Sequence, residues 1–170
     1  RLKEEELIAA NFEMTEWAHI INDEPCASEV KQKWVLANTS HVIDLVTYIA
    51  GNFKELSSYT SGSLAWHDKA SRFVGSGISC KGILISYCGY WDGPGRWSAE
   101  FVTTKSRYIF RPMEKLQIQR TGSIAVAFDD SIDYSIDEEF KPGLFLQTKA
   151  FLDGEHSKLC TIEEQIAFFK

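Results

Sequence analysis

At 170 residues the chain has the length of one domain and is long enough to bury a core without disulfide or metal staples. Apolar residues make up 44% and charged residues 25%, and the 11 glycines and 4 prolines form no tract, which excludes a low-complexity or disordered chain. The net charge of -6 and pI of about 5.2, with 18 basic residues scattered along the chain, exclude the electrostatic footprint of a nucleic-acid binder, so no nucleic-acid partner is expected.

No apolar run approaches the roughly 18–20 residues that span a bilayer, and no charged-then-apolar signal segment opens the chain. The expectation is a soluble, cytoplasmic protein with no membrane partner. The opening "RLKEEELIAANFEM" runs without an initiating methionine or polar leader into charged and then apolar residues, as expected of a piece of a longer protein.

In chain order, Ile8, Ala10, Phe12 and Met14 fall on alternate positions between Leu7 and Trp17, which suits a strand half-buried in a sheet. Residues 18–33, "AHIINDEPCASEVKQK", read as a polar surface connection. From Asn38, the apolar Val42, Ile43, Val46, Ile49 and Ala50 recur at helical spacing; Asn38 or Thr39 can cap the start and Gly51 suits a left-handed stop. The segment "SLAWHDKASRFVGSG" (63–77) is ambiguous between an edge strand and a loop.

Beyond it the period changes to two. "KGILISYCGYW" (81–91), "RWSAEFVTTK" (96–105), "SRYIFRP" (106–112) and "EKLQIQR" (114–120) are strand-like, with Ile83, Ile85 and Tyr87 on one face and Leu84, Ser86 and Cys88 on the other. The separators "DGPG" and Arg111-Pro112 are turn chemistry suited to antiparallel neighbours. Pro142, then Leu144, Phe145, Thr148, Phe151 and Leu152, then Gly154 describe an amphipathic helix. A capping box, Thr161 to Glu164, opens a last helix with Ile166 and Phe169 on its apolar edge.

Strands and helices without regular alternation point to an α+β fold: an open, mainly antiparallel sheet with helices on one face. Trp91, Trp97, Phe101, Tyr108 and Phe110 are more aromatic surface than one domain exposes, so the free sheet face is expected to meet another domain or subunit.

Four cysteines, Cys26, Cys80, Cys88 and Cys160, lie far apart without zinc spacing and read as reduced, mostly buried small hydrophobes; no metal is expected. Neither GxGxxG nor GxxxxGK[ST] occurs, and "YWDGPGRW" (90–97) sits between strands, which makes it a hairpin loop placing Arg96 and Trp97 either at a core edge or at a ligand rim. No nucleophile elbow or reactive-cysteine context accompanies the histidines.

His41 is the residue with most chemical promise. If Asn38 caps the helix, His41 lies in the first turn, where free amides and the helix dipole favour a neutral, proton-accepting ring. Asp44, three residues on, is within reach of His41 or of a substrate hydroxyl. The alternative is that His41 satisfies a carbonyl and Asp44 is a solvated helix residue.

"SHVIDLVTYIAGNFKEL" (40–56), the antiparallel run 79–120 and "LFLQTKAFLDG" (144–154) with its link to "TIEEQIAFFK" together resemble the C-terminal domain of the glucose-fructose oxidoreductase and inositol dehydrogenase family of NAD(P)-dependent sugar oxidoreductases. The resemblance covers nearly the whole chain, as a single substrate-binding and oligomerisation domain. It implies a missing N-terminal Rossmann domain that binds NAD or NADP and supplies a lysine from a Glu-Lys-Pro motif.

It further implies a sugar, sugar derivative or polyol as substrate, a homodimer or homotetramer built through the sheet face, and no activity in this piece alone. The family histidine that deprotonates or contacts the substrate hydroxyl falls on His41, with Asn38, Asp44, Arg96 and Trp97 as substrate-binding candidates. Where the family commonly carries an aspartate one turn before the histidine, this chain has Ala37. A non-catalytic ligand-binding or assembly domain of the same fold, and a stand-alone sugar-binding or isomerase-like domain using Asp44, are the competing readings.

Overall fold

The computed structural model describes residues 4–168, which divide after Phe128 into two compact units. In chain order the first unit contains β1 (Leu7–Glu13), α1 (Ala18–Asp23), α2 (Ser28–Gln32), a π-helical turn (Val35–Thr39), α3 (Ser40–Ala50), β2 (Phe53–Ser61), β3 (Arg72–Ser79), β4 (Leu84–Tyr90), β5 (Ser98–Thr103), β6 (Ser106–Phe110), β7 (Leu116–Arg120) and β8 (Val126–Phe128). The strands form one sheet in the order β2-β3-β4-β1-β5-β6-β7-β8. Among the described residues β1 and β4 pair in parallel and every other pairing is antiparallel; the hairpin expected at 90–97 does not form, because β1 lies between β4 and β5 and pairs with both.

Alternation along β1 sorts its side chains. Ala10 and Phe12, with Met14 just beyond the strand, are buried, whereas Ile8 on the same parity remains 45% exposed at the strand's beginning. Register carries the same face across to Ile85 and Tyr87 on β4 and to Ala99 and Phe101 on β5. α3 packs on β1, and Val42, Val46 and Ala50, spaced at four, are fully buried; Ile43 and Ile49 are only half-buried at the flank of that stripe.

The expectation of an uncovered aromatic face is overturned. Trp91, Phe101 and Tyr108 are at most 2% exposed and belong to the core, and Trp97 and Phe110 pack against it. The parity of these residues matches Ala10 and Phe12, so they point into the covered face. The face left open carries instead Asn11, Ser57, Ser76, Ser86 and Glu100 together with Tyr59, Val74, Leu84, Val126 and Phe128.

Local elements also differ from expectation. Residues 18–33 hold the short helices α1 and α2, and the ambiguous stretch 63–77 is a loop closed by a Leu64–His67 bridge that runs into β3. Gly77 is required on β3 because a Cβ there would lie 2.0 Å from the Glu55 carbonyl oxygen of β2. None of the four cysteines is fully buried: Cys26 and Cys88 are half-buried, Cys80 and Cys160 exposed. Burial nevertheless pushes the Cys88 thiol up from its ordinary value.

The second unit contains α4 (Ser135–Glu139), α5 (Leu144–Leu152), a 3-10 turn (His156–Lys158) and α6 (Ile162–Phe168). The capping box forms as expected: the Thr161 amide donates to Glu164 Oε2 at 2.7 Å and the Glu164 amide donates to Thr161 Oγ1 at 3.2 Å. The apolar stripe of α5 is not buried: Leu144, Phe145, Phe151 and Leu152 are exposed and Ala150 alone on that helix is buried. Ile166 is also exposed, and Phe169 lies outside the described residues. Among the described residues no helix is long and apolar enough to cross a membrane.

Candidate functional site

β1 ends at Glu13, but the chain continues beside β4 for two more residues. The Met14 amide donates to the Cys88 carbonyl at 2.8 Å and the Thr15 hydroxyl accepts from the Tyr90 amide at 3.1 Å. The next position on the parity of Ala10, Phe12 and Met14 is Glu16, and Thr15, just before it, is buried as well. A carboxylate is placed where an apolar side chain belongs, with 1% of the residue exposed.

Such a group persists only if its oxygens are met by donors. Glu16 Oε1 accepts from Thr39 Oγ1 at 2.7 Å, Asn38 Nδ2 at 3.1 Å and Trp97 Nε1 at 3.1 Å. Oε2 accepts from the Arg96 guanidinium at 2.9 Å. Three separate segments thus converge on one side chain: the end of β1, the helical run before α3 and the loop between β4 and β5.

The helical run does not begin at Asn38. Backbone from Trp34 is already helical and passes through the π turn Val35–Thr39 into α3, so neither Asn38 nor Thr39 caps anything. Consecutive side chains on an α-helix diverge by about 100°; the wider π turn narrows that angle, which lets Asn38 and Thr39 both reach Oε1. Single π turns of this kind recur at functional sites. The unsatisfied first-turn amides expected to act on His41 are found a turn and more earlier, too far along the helix to reach it.

His41 is exposed on α3, its ring centroid 6.3 Å from that of Trp97 at a tilt of 53°. Arg96 lies between two indoles, its guanidinium carbon 4.7 Å from the Trp97 ring centroid and 5.1 Å from that of Trp17. Trp17 Nε1 donates to the Gly95 carbonyl at 2.9 Å, tying the loop to the β1 end. Gly95 allows this approach: its φ is +146°, and a Cβ would sit 2.2 Å from Glu13 Oε1.

Of the five residues singled out from the sequence, Asn38, Arg96 and Trp97 are joined through Glu16, and His41 stands at the edge of that group against Trp97. Asp44 is half-buried on α3 outside the network, where its carbonyl accepts from the Thr47 hydroxyl at 3.2 Å. Ala37 is exposed on the π turn. Glu16 and Trp17 escaped the sequence reading. The signal was present, since an acid on the buried parity of a strand demands partners.

The opposite face of the sheet has its own polar groups. Arg111 pairs with Glu13, and the Ser86 hydroxyl donates to Asn11 at 2.6 Å. A concavity of about 610 Å³ on this face is lined by Asn11, Glu55, Ser57, Ser76, Leu84 and Ser86, none of which is a candidate residue. At the sheet end the Arg72 guanidinium, 2.7 Å from Asp92, holds that carboxyl below its ordinary value.

The chain has the fold of part of a group of larger oxidoreductases. Matching solved structures include levoglucosan dehydrogenase in complex with NADH and levoglucosan, with a TM-score of 0.55 and 17% identity over 73% of this chain and 39% of that chain. A dehydrogenase (MviM) from Clostridium difficile matches with a TM-score of 0.67 and 12% identity over 93% of this chain and 49% of that one. An NAD binding oxidoreductase from Klebsiella pneumoniae matches with a TM-score of 0.55 and 10% identity over 73% and 39%.

This chain therefore spans roughly two-fifths to half the length of the structures it matches. At these identities the likeness establishes the fold, in agreement with the α+β architecture expected from the sequence. No protein-family model and no curated protein matches the sequence.

Proposed function

We propose that the chain is the substrate-binding and oligomerisation portion of an NAD(P)-dependent oxidoreductase acting on a sugar, sugar derivative or polyol. The observation that carries this reading is the convergence of Asn38, Arg96 and Trp97 on buried Glu16, with the exposed His41 imidazole at its edge. The fold adds support: its neighbours include levoglucosan dehydrogenase bound to NADH and levoglucosan, and the same enzyme bound to NADH and L-sorbose.

In this reading His41 would accept the proton of a substrate hydroxyl while bound NAD(P) would take the hydride from the same carbon, and the exposed Trp17 would pack on the C–H face of the sugar. Asn38 spends one amide proton on Glu16 and keeps its carbonyl oxygen for a hydroxyl. The chain's own residues do not fit a nicotinamide dinucleotide: the sequence has no glycine-rich phosphate cradle between a strand and a helix. The cofactor, NAD or NADP, belongs on a Rossmann domain N-terminal to this chain.

One observation favours the competing non-catalytic reading. Ala37 puts no carboxylate beside His41, and Asp44 is outside the Glu16 network. Both readings are tested on the protein that joins this chain to its natural N-terminal sequence, by following the nicotinamide absorbance with levoglucosan, L-sorbose and a panel of polyols. Turnover that falls by about 100-fold or more in His41→Ala, with cofactor binding retained, is the result expected of a general base. Cofactor binding with equal turnover in the variant removes His41 from the chemistry, and failure to bind any nicotinamide cofactor selects the ligand-binding or assembly role.

A further inference from the structure

We propose that Glu16 is the positioning residue of this site, dividing its two oxygens so that one fixes Trp97 and the π turn and the other holds Arg96 between Trp17 and Trp97. The proposal rests on reading the edge occupied by His41 as the site. Oε1 takes three neutral donors, Asn38, Thr39 and Trp97, whereas Oε2 takes the guanidinium alone. Glu16 is 1% exposed and Arg96 is about half exposed, so the acid is the fixed member of the pair and the cation the adjustable one.

Without the carboxylate, a half-exposed arginine gains more from water than from two indole faces, and its flexible stem lets it leave. Trp97 would then lose both its hydrogen bond and its stacking partner, and the ring against His41 would move. The effect reaches His41 through Trp97, since Glu16 itself lies behind the indole network. The charge of Arg96 is compensated at its inner edge, so the wall presented beside His41 is a flat, stacked surface rather than a free cation.

The division of labour makes a discriminating test available. In Glu16→Gln the side-chain carbonyl can keep all three neutral donors, and the new amide then faces the guanidinium donor to donor. In Glu16→Ala both sets of contacts are lost. Nitrogen-15 and proton NMR spectra of the chain, recorded for wild type, both variants and a Val46→Ala core control, read each part separately.

The expected result has the Arg96 Nη1 protons, held by Glu16 Oε2, protected and shifted upfield by the indoles in wild type, and released in Glu16→Gln while Trp97 Nε1–H keeps its bond to the side-chain oxygen. In Glu16→Ala, Arg96, Trp97 and the His41 Cε1 proton all shift, whereas Val46→Ala lowers the thermal midpoint and leaves these three signals alone. Wild-type positions for Arg96 in folded Glu16→Gln overturn the proposal, as do equal shifts in Val46→Ala. If Glu16→Ala does not fold, Glu16→Gln carries the test. None of these signals requires turnover, so an inactive full-length enzyme sinks the dehydrogenase reading without touching the role of Glu16, and unchanged spectra sink that role even in an active one.

Discussion

A buried carboxylate is stabilising only in the company that solvates it, and Glu16 draws that company from residues 22 to 81 positions away. Arg96→Ala leaves the carboxylate in place with three neutral donors but no countercharge. Arg96 is half exposed and three neutral donors remain on Oε1, so this variant should cost about 1–3 kcal/mol, less than the breaking of a fully buried pair. Urea unfolding with the denaturant slope unchanged checks that figure.

Other carboxylates give the molecule an acid limb. Asp92 is held below its ordinary 3.8 by donation from Arg72, and Glu5 below its ordinary 4.5 by donation from the Thr103 hydroxyl. Each binds fewer protons folded than unfolded, so its contribution is complete above the ordinary value and is lost as pH falls through the lowered native one. The thermal midpoint should therefore stay level from neutrality down to about pH 5 and then decline. Asp92→Asn should flatten part of that decline, and a decline of the same depth in the variant would show that the Arg72 contact contributes nothing.

Among the elements, α3 was legible because its apolar residues repeat at the helical period and its face meets an equally regular strand. Val46 is fully buried in that contact, so Val46→Ala should cost about 2 kcal/mol through lost transfer energy and the small cavity left, measurable as a lower urea midpoint. Its N-terminus was not legible. Asn38 and Thr39 carry the residue types of a cap, but their side chains go to Glu16, and helical backbone runs on ahead of them to Trp34. In α5 the opposite failure occurred: the periodicity produced the helix but did not say what its apolar side would meet, and Leu144, Phe151 and Leu152 are exposed within the described residues.

On the scale of the whole molecule, the open sheet face is the surface that the proposed oligomerisation would use. Leu84 and Tyr59 stand 61% and 73% exposed on it, among serines and Asn11, a mixture typical of a protein interface rather than of a core. If copies associate through this face, Leu84→Glu with Tyr59→Glu should convert the assembly to monomer in analytical ultracentrifugation without loss of the fold. A wild type that sediments as a monomer, or an assembly indifferent to both substitutions, would place the interface elsewhere. The core, by contrast, holds the very aromatics, Trp91, Phe101 and Tyr108, that the sequence suggested for that face.

What the amino-acid sequence determined by itself is everything that depends on period and on local chemistry: the half-buried β1, the strands β4 to β7 but not the insertion of β1 between β4 and β5, the stripe of α3, the capping box at Thr161, and the likeness that pointed to this α+β architecture. These are properties of neighbours in the chain, and a repeat of two or of about four states them directly. Which face of the sheet is covered, and which side chains meet at Glu16, depend on pairing between segments far apart in sequence. The acid on the buried parity of β1 announced a need for donors, but only the tertiary structure could choose Thr39, Asn38, Arg96 and Trp97 to meet it, because the cost of a lone buried charge says how much must be supplied and nothing about where in the chain it comes from.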